Sequence, residues 1–173
     1  SQGRRFAPEM ADIRLKADAR RTAFAAARER LTRIDPESDA GRRLASALEE
    51  LQKLAGWREA ASGFQVAPPA HLANYTRLIG RLLDVVEQVP RFSSDSRTFS
   101  AGHAYLQIMR VKEYAGIERA TLNSAFSTNR FPEGFFTRFT LLTGQQEAGL
   151  STFRGLASPE LVAALERALG TDL

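Results

Sequence analysis

The sequence predicts an all-α fold: an antiparallel bundle of long helices, of the four-helix-bundle type, with about six helices in all. Apolar residues recur every three or four positions along most of the chain, which is the period of an amphipathic helix. β-branched residues never alternate with polar residues over more than a few positions, so strand signals are nearly absent. Clusters of proline, glycine and serine interrupt the pattern and predict short connections between helices.

The first predicted helix has the spacing of a coiled coil. Its seam alternates steps of four and three residues, through Phe6, Met10, Ile13, Ala17, Arg20, Phe24, Ala27, Leu31 and Ile34. Pro8 fits the first turn of this helix, and Asp35-Pro36 ends it. Arg20 is the charged member of the seam, and it is either a side chain that extends to the edge or a ligand for an anion.

Breakers and capping residues predict the other helix boundaries. The second helix is expected over residues 40–61 with Leu44, Leu48, Leu51 and Ala55 inward, and the third from Pro69 to Pro90. Ser93-Ser94-Asp95 supplies capping residues before a long fourth helix over 97–128. The fifth helix is expected to start at Pro132, with a seam through Phe136, Phe139, Leu142, Gln146 and Phe153, and the sixth spans 159–169.

Composition excludes several kinds of site and predicts a single domain over residues 1–173. The chain has no cysteine, so it contains no disulfide and no thiolate metal site. Its two histidines, His71 and His103, do not follow a glutamate at the spacing of di-metal bundles, and each is expected at a surface or boundary position. There is no Gly-rich phosphate loop, no HExxH and no nucleophile elbow. We therefore expect no metal, no cofactor and no enzymatic activity.

The charge of the chain favours anionic partners only weakly. Lysine and arginine number 24 against 20 acidic residues, which gives a net charge of +4. The densest basic run, over residues 4–33, is interrupted by acids, so nucleic-acid binding is not expected. No run of about 18 apolar residues is present, so contact with a membrane would come only through flanking segments.

The fourth helix differs from the others because it is apolar on two sides. One side carries Ile108, Val111, Ala115, Leu122 and Phe126, and the other carries Leu106, Met109 and Ile117. Between them lies a polar stripe of Lys112, Gly116, Arg119 and Asn123, spaced four, three and four. A helix that is apolar on more than one side tends to be interior, so we expect this cationic stripe to be partly internal.

Two interpretations of this stripe remain open on the residues alone. Lys112 and Arg119 either pair with Glu113, Glu118 or carboxylates of other helices, or they bind an anion. Gly116 leaves room for a closely packed helix or for a small ligand.

Residues 112–122 (KEYAGIERATL) resemble the signature of the NIT family of nitrate- and nitrite-sensing domains, Lys-Glu-x-x-Gly-x-Glu-Arg. Other pieces of the chain are similar to the family in order and spacing. They are Glu9-Met10 with Arg14 and Asp18, residues 75–86, residues 126–136 (FSTNRFPEGFF), and Gln145-Gln146-Glu147 followed by Phe153. The resemblance therefore covers nearly the whole chain.

The resemblance implies a helical bundle that binds nitrate or nitrite between its helices and transmits a conformational signal. Arg119 matches the motif arginine and is the first choice for the anion ligand, while Lys112 and Gly116 match the motif lysine and glycine. Asn123 joins this set from the geometry of the stripe. The family's opening segment, Gln-x-Glu-Arg-Gly, has no counterpart here, because the chain starts at Ser1-Gln2-Gly3. We expect the family's first helix to be missing.

The host expected from the resemblance is a bacterial receptor, above all a methyl-accepting chemotaxis protein of the inner membrane. The domain would then be a homodimer in the periplasm, and a cytoplasmic location is the alternative. Two other functions stay open. One is a sensor for another small anion such as an organic acid, and the other is a ligand-free helical module for dimerisation or interaction.

Overall fold

The computed structural model describes residues 7–29 and 34–170, with side chains for 8–27 and 34–170. Within these residues the chain forms six α-helices and one short 3-10 helix and has no strand, so the all-α prediction is confirmed. They are α1 (Ala7–Glu29), α2 (Asp39–Ser62), α3 (Pro68–Val86), the 3-10 helix (Val89–Phe92), α4 (Ser96–Thr128), α5 (Phe135–Leu156) and α6 (Pro159–Gly170). The chain divides into two compact units, Ser1–Gly41 and Arg42–Leu173.

The first unit contains α1, whose surface carries ion pairs between successive turns. Lys16 bonds Asp12 at 2.7 Å, and Arg21 bonds Asp18 at 3.1 Å. Met10 and Ile13 of the predicted seam are 46% and 59% exposed, while Phe24 is half-buried. The predicted seam residues Phe6 and Leu31 lie outside the described residues. The description of α1 ends at Glu29, and Ile34 is not helical.

The second unit is an antiparallel series in which each helix from α2 to α5 packs against the next. In each pair, residue numbers rise along one helix as they fall along its neighbour. Contacts that show this are Arg43–Glu87 and Glu50–Arg77 between α2 and the α3 region, Arg110–Glu87 and Glu113–Thr76 between α4 and the α3 region, and Glu118–Gln146 and Val111–Gly149 between α4 and α5. Short connections between successive helices make this the expected arrangement.

Capping side chains and backbone conformation explain where α4 and α5 begin and end. Asp95 caps α4 by accepting a hydrogen bond from the Thr98 backbone N–H at 2.8 Å, and Asn129 ends the helix in a left-handed conformation. The observed start at Ser96 differs from the prediction by one residue. The predicted start of α5 at Pro132 is wrong, because Gly134 has a φ of +74° and interrupts the helical path.

The predicted inward faces of α2 and α5 agree with the structure to different degrees, and the face of α2 is rotated. On α2 the buried residues include Ala47 and Leu54, whereas Ala55 is exposed. On α5 the predicted seam is largely confirmed, because Leu142 and Phe153 are buried, and only its first residue is wrong: Phe136 is 71% exposed and Phe135 is buried instead. Helical period limits an apolar face to a broad arc, and the packing of neighbouring helices selects the part that is buried. Among the described residues the apolar core consists of Ala47, Leu54, Leu78, Leu83, Ala104, Leu106, Ile117, Ala125, Phe135, Leu142 and Phe153.

Candidate functional site

The predicted polar stripe lies on a face of α4 that neither α3 nor α5 covers. Lys112, Arg119 and Asn123 are exposed, and Gly116 is half-buried. The expectation that the stripe is internal is therefore wrong for these three side chains. The reason is geometric, because α3 meets the side of α4 that carries Glu113 and Ile117, and α5 meets the side that carries Val111 and Glu118.

Within the part of the chain that the structure describes, the two cations of the stripe have no carboxylate partner. Neither Lys112 nor Arg119 makes an ion pair with any residue in the described part of the chain. Positions one helical turn away from them carry no acid; they are Ile108, Met109, Ala115, Gly116, Leu122 and Asn123. Glu118 accepts a hydrogen bond from Gln146 Nε2 at 2.5 Å instead. The structure thus shows none of the ion pairs expected if these cations were structural.

Open space surrounds the middle of the stripe. A Cβ atom added at Gly116 would meet no heavy atom within 4 Å, so in the described chain this glycine is not required by close packing. Lys112 and Arg119 lie about 10 Å apart along the helix axis, on either side of this gap. The arrangement is two cations, neither paired with a described residue, flanking a position without a side chain.

Apolar side chains extend the same face of α4 in both directions. Tyr105 is 58% exposed and Phe126 is 70% exposed. With the stripe they follow the four-and-three spacing of a helix seam, through Tyr105, Ile108, Lys112, Ala115, Arg119, Leu122 and Phe126. The spacing is that of a surface on which another helix packs, with the cations at its centre.

A second polar feature of α4 faces α3. A cleft of about 170 Å³ between the two helices, here named the Glu113 cleft, is lined by Thr76, Gly80, Leu83, Asp84, Arg110, Glu113, Tyr114 and Ile117. Partial burial of Glu113 in it raises the pKa of its carboxyl, an effect that the hydroxyl of Thr76 opposes. Glu113 makes no ion pair with any residue that the structure describes.

The other charges beside this cleft are already paired. Arg110 lies 3.5 Å from Glu87, and Arg43 lies 3.4 Å from the same carboxylate. Asp84 lies 3.9 Å from Arg43 and 3.7 Å from Arg81. These contacts connect α2, α3 and α4, and among the described residues they leave the Glu113 carboxyl without a cation.

Neither the cleft nor the contact between Glu118 and Gln146 was predicted from the sequence. The sequence contains one feature that is typical of each, but neither feature identifies the helix that lies opposite. Gln146 is a polar residue within the apolar seam of α5, which indicates a buried hydrogen bond. Thr76 and Gly80 lie one turn apart on α3, where small side chains leave space.

The two histidines occupy half-buried positions, as predicted. The ring of His71 contacts Tyr75 edge-on at 4.9 Å, and His103 Nδ1 lies 3.0 Å from the Phe99 carbonyl oxygen. No group of three or more potential metal-ligating side chains occurs among the described residues.

Comparison with protein-family models gives a match over residues 1–173 to the NIT model, described as "Nitrate and nitrite sensing". The chain belongs to the NIT family. The resemblance first indicated by residues 112–119 is thereby confirmed. NIT domains are sensing rather than catalytic domains, so this chain's role is nitrate and nitrite sensing in signal transduction. Comparison with curated proteins and with solved structures gives no significant match. In the described ranges, no helix combines the length and apolar character needed to cross a membrane.

Proposed function

We propose that this NIT domain binds nitrate or nitrite at the stripe of α4, with Arg119 as the principal ligand and Lys112 as the second cation. The observation that carries the proposal is the absence of any carboxylate partner for either side chain among the described residues. Gly116 provides the space for the anion between them, and Asn123 adds an amide donor one turn beyond Arg119.

The chemistry of the side chains suits a planar monoanion. Nitrate has three equivalent oxygens in one plane, and a guanidinium presents planar, forked donors that can meet two of them. The ammonium of Lys112 adds a compact charge from the other side of Gly116. Because Lys112, Arg119 and Asn123 are all exposed, water competes with them for the anion until another helix covers this face of α4.

The exposure of these side chains also leads us to propose that another helix covers this face of α4. The four-and-three spacing on this face of α4 suits helix packing, and a helix placed there would remove Tyr105 and Phe126 from water. The anion would then lie between helices, and a homodimer is one source of the second helix. Bringing two helices together around an anion produces the small axial or rotational shift that a bundle can transmit to an output domain.

For the host we propose a bacterial receptor, a methyl-accepting chemotaxis protein in the first place, with residues 1–173 as its single sensor domain in the periplasm. Nitrate sensing by the family supports a position upstream of a signalling output. Membrane attachment would be supplied by segments flanking this domain.

Titration calorimetry tests the assignment of the ligand and of its residues. The chain is titrated with nitrate, nitrite and acetate at constant low ionic strength, because salt screens exposed charges. Arg119→Ala is expected to weaken nitrate binding at least about tenfold, since a charge-assisted hydrogen bond contributes about 1.5–3 kcal/mol. Arg138→Ala, which removes an exposed arginine from α5, is the matched control and should leave the isotherm unchanged.

Each outcome of this titration has a distinct meaning. Equal, weak heats for all three anions would contradict nitrate specificity. Tighter binding of acetate would favour the alternative of an organic-acid sensor. An unchanged isotherm in Arg119→Ala would remove the proposed site.

A second candidate function is a ligand-free module for dimerisation. The observation that favours it is the exposure of Tyr105 and Phe126 on the stripe face, because exposed aromatic side chains often mark interaction surfaces. On this hypothesis Arg119→Ala changes self-association, measured by analytical ultracentrifugation, and nitrate has no effect on it.

A further inference from the structure

The Glu113 cleft lies on a different side of α4 from the stripe and plays no part in the proposed anion site. One wall comes from α3 through Thr76 and Gly80, and the other comes from α4 through Glu113 and Tyr114. A volume of about 170 Å³ corresponds to roughly five or six water molecules, or to one small organic molecule.

Around the cleft, one carboxyl has no cation partner among the described residues. Arg110 is engaged by Glu87, and Asp84 is engaged by Arg43 and Arg81. Glu113 alone among the lining carboxyls lacks an ion pair within the described residues. A half-buried carboxylate without a cation is unfavourable, so a guest that brings a positive charge is stabilised there.

The apolar lining restricts the size and shape of that guest. Leu83 and Ile117, each only 8% exposed, supply apolar contacts, and they are complementary to a short alkyl chain rather than to a second charge. A Cβ atom added at Gly80 would meet nothing within 4 Å, so the absence of a side chain there keeps this wall open.

We infer that the Glu113 cleft is a binding site for a small primary ammonium ion with a short alkyl chain. The ammonium donates hydrogen bonds to the Glu113 carboxylate, with the Thr76 hydroxyl as a further partner, and the alkyl chain packs on Leu83 and Ile117. The guest contacts both α3 and α4, so its binding fixes the spacing of these two helices. The domain then binds a cation on one side of α4, in addition to the anion that we propose for the stripe.

The test uses n-butylammonium chloride as the probe, with 1-butanol and sodium butyrate as the neutral and anionic comparators. Binding is followed by NMR chemical shifts of the full chain and by the titration of the Glu113 carboxyl. Saturable shifts confined to residues of the cleft are expected with butylammonium. The bound ion should also lower the pKa of Glu113, because it favours the charged carboxylate.

Variants separate this site from general electrostatic attraction. Glu113→Gln is expected to weaken butylammonium binding at least about tenfold, because it removes the charge while preserving size. Gly80→Leu, which fills the cleft without altering a charge, should abolish binding. Glu147→Gln removes an exposed carboxylate of α5 and should have no effect, and Arg119→Ala should also leave butylammonium binding intact.

Three results would overturn the inference. They are non-saturable shifts, equal binding of 1-butanol, and unchanged affinity in Glu113→Gln. Fluorescence of Trp57 reports whether each variant is folded, since this ring lies 6.2 Å from Tyr75 across the contact between α2 and α3. A variant that fails this check is replaced in the comparison by the other cleft variant, so binding is always judged on a folded chain.

Discussion

Asp95 and Asn129 fix the two ends of α4 through different chemistry. The carboxylate of Asp95 accepts hydrogen bonds from the Thr98 N–H at 2.8 Å and from the Thr98 hydroxyl at 2.7 Å, and the hydroxyl contact in particular lowers the pKa of Asp95. Asn129 adopts a φ of +49°, which asparagine tolerates better than most residues. Both ends could be predicted within one residue, because capping depends on local sequence alone.

Another single residue, Glu113, makes the stability of the chain depend on pH, and Glu113→Gln is expected to change this dependence. Burial raises the pKa of Glu113 above its ordinary value of 4.5, so the folded chain holds this proton more tightly than the unfolded chain. The stability that this proton contributes is fully present below pH 4.5, the ordinary pKa of the carboxyl. It is lost as the pH rises through the higher pKa of the folded chain. Glutamine stays neutral at every pH and still accepts a hydrogen bond from Thr76.

Denaturant unfolding at several pH values measures this effect. The glutamine variant should be more stable than the parent chain at neutral pH, and the difference should disappear below pH 4.5. Glu147→Gln, at an exposed position, serves as the control and should follow the parent chain. A stability difference that does not vary with pH would contradict the assigned cause.

Among the elements, α4 and α5 approach each other closely at Gly149, where α5 has no side chain. A Cβ atom at Gly149 would lie 2.5 Å from Val111 Cγ2, a distance that real structures do not tolerate. Gly102 is close to Pro90 in the same way, which fixes the start of α4 against the 3-10 helix. The sequence predicts both helices but not these close approaches, because a glycine within a helix gives no indication of what lies opposite.

Gly149→Ala is expected to destabilise the chain by about 1–3 kcal/mol through overpacking against Val111. Adding Val111→Ala should recover part of this loss, so that the double variant differs from the sum of the single variants by at least about 0.5 kcal/mol. Gly144→Ala is the matched control on the same helix. A Cβ there meets nothing within 4 Å, and we expect a gain of up to about 1 kcal/mol from helix propensity. Equal effects at the two glycines, measured by denaturant unfolding, would exclude the close contact.

Across the whole molecule, the sequence predicted the class and order of the helices better than it predicted what covers them. Periodicity identifies the α4 stripe as a set of residues on one face, and the structure keeps Lys112, Gly116 and Arg119 together there. The burial of that face depends on the helices that pack beside α4, and a single helix pattern carries no such information. For the same reason the Glu113 cleft, which needs two helices, could not be predicted.

The division into two units gives a prediction at this scale. A fragment of residues 35–173 is expected to fold by itself, because the ion pairs and apolar contacts of α2 to α5 lie within Arg42–Leu173. It retains Ser38, whose hydroxyl accepts a hydrogen bond from the Gly41 N–H at 3.1 Å and caps α2. Trp57 fluorescence and circular dichroism should report one coincident unfolding transition. A gradual, non-cooperative loss of signal would show that the fragment depends on α1.

The residue at position 115 affects how strongly the guanidinium of Arg119 would be offered to the proposed anion. Alanine stands one turn before Arg119, at the spacing where a glutamate would form a favourable pair with it along the helix. A single acidic replacement at this site would therefore supply a tethered counter-ion that competes with an external anion by about 0.2–0.5 kcal/mol. Ala115→Glu is therefore expected to weaken anion binding at the proposed site by about twofold.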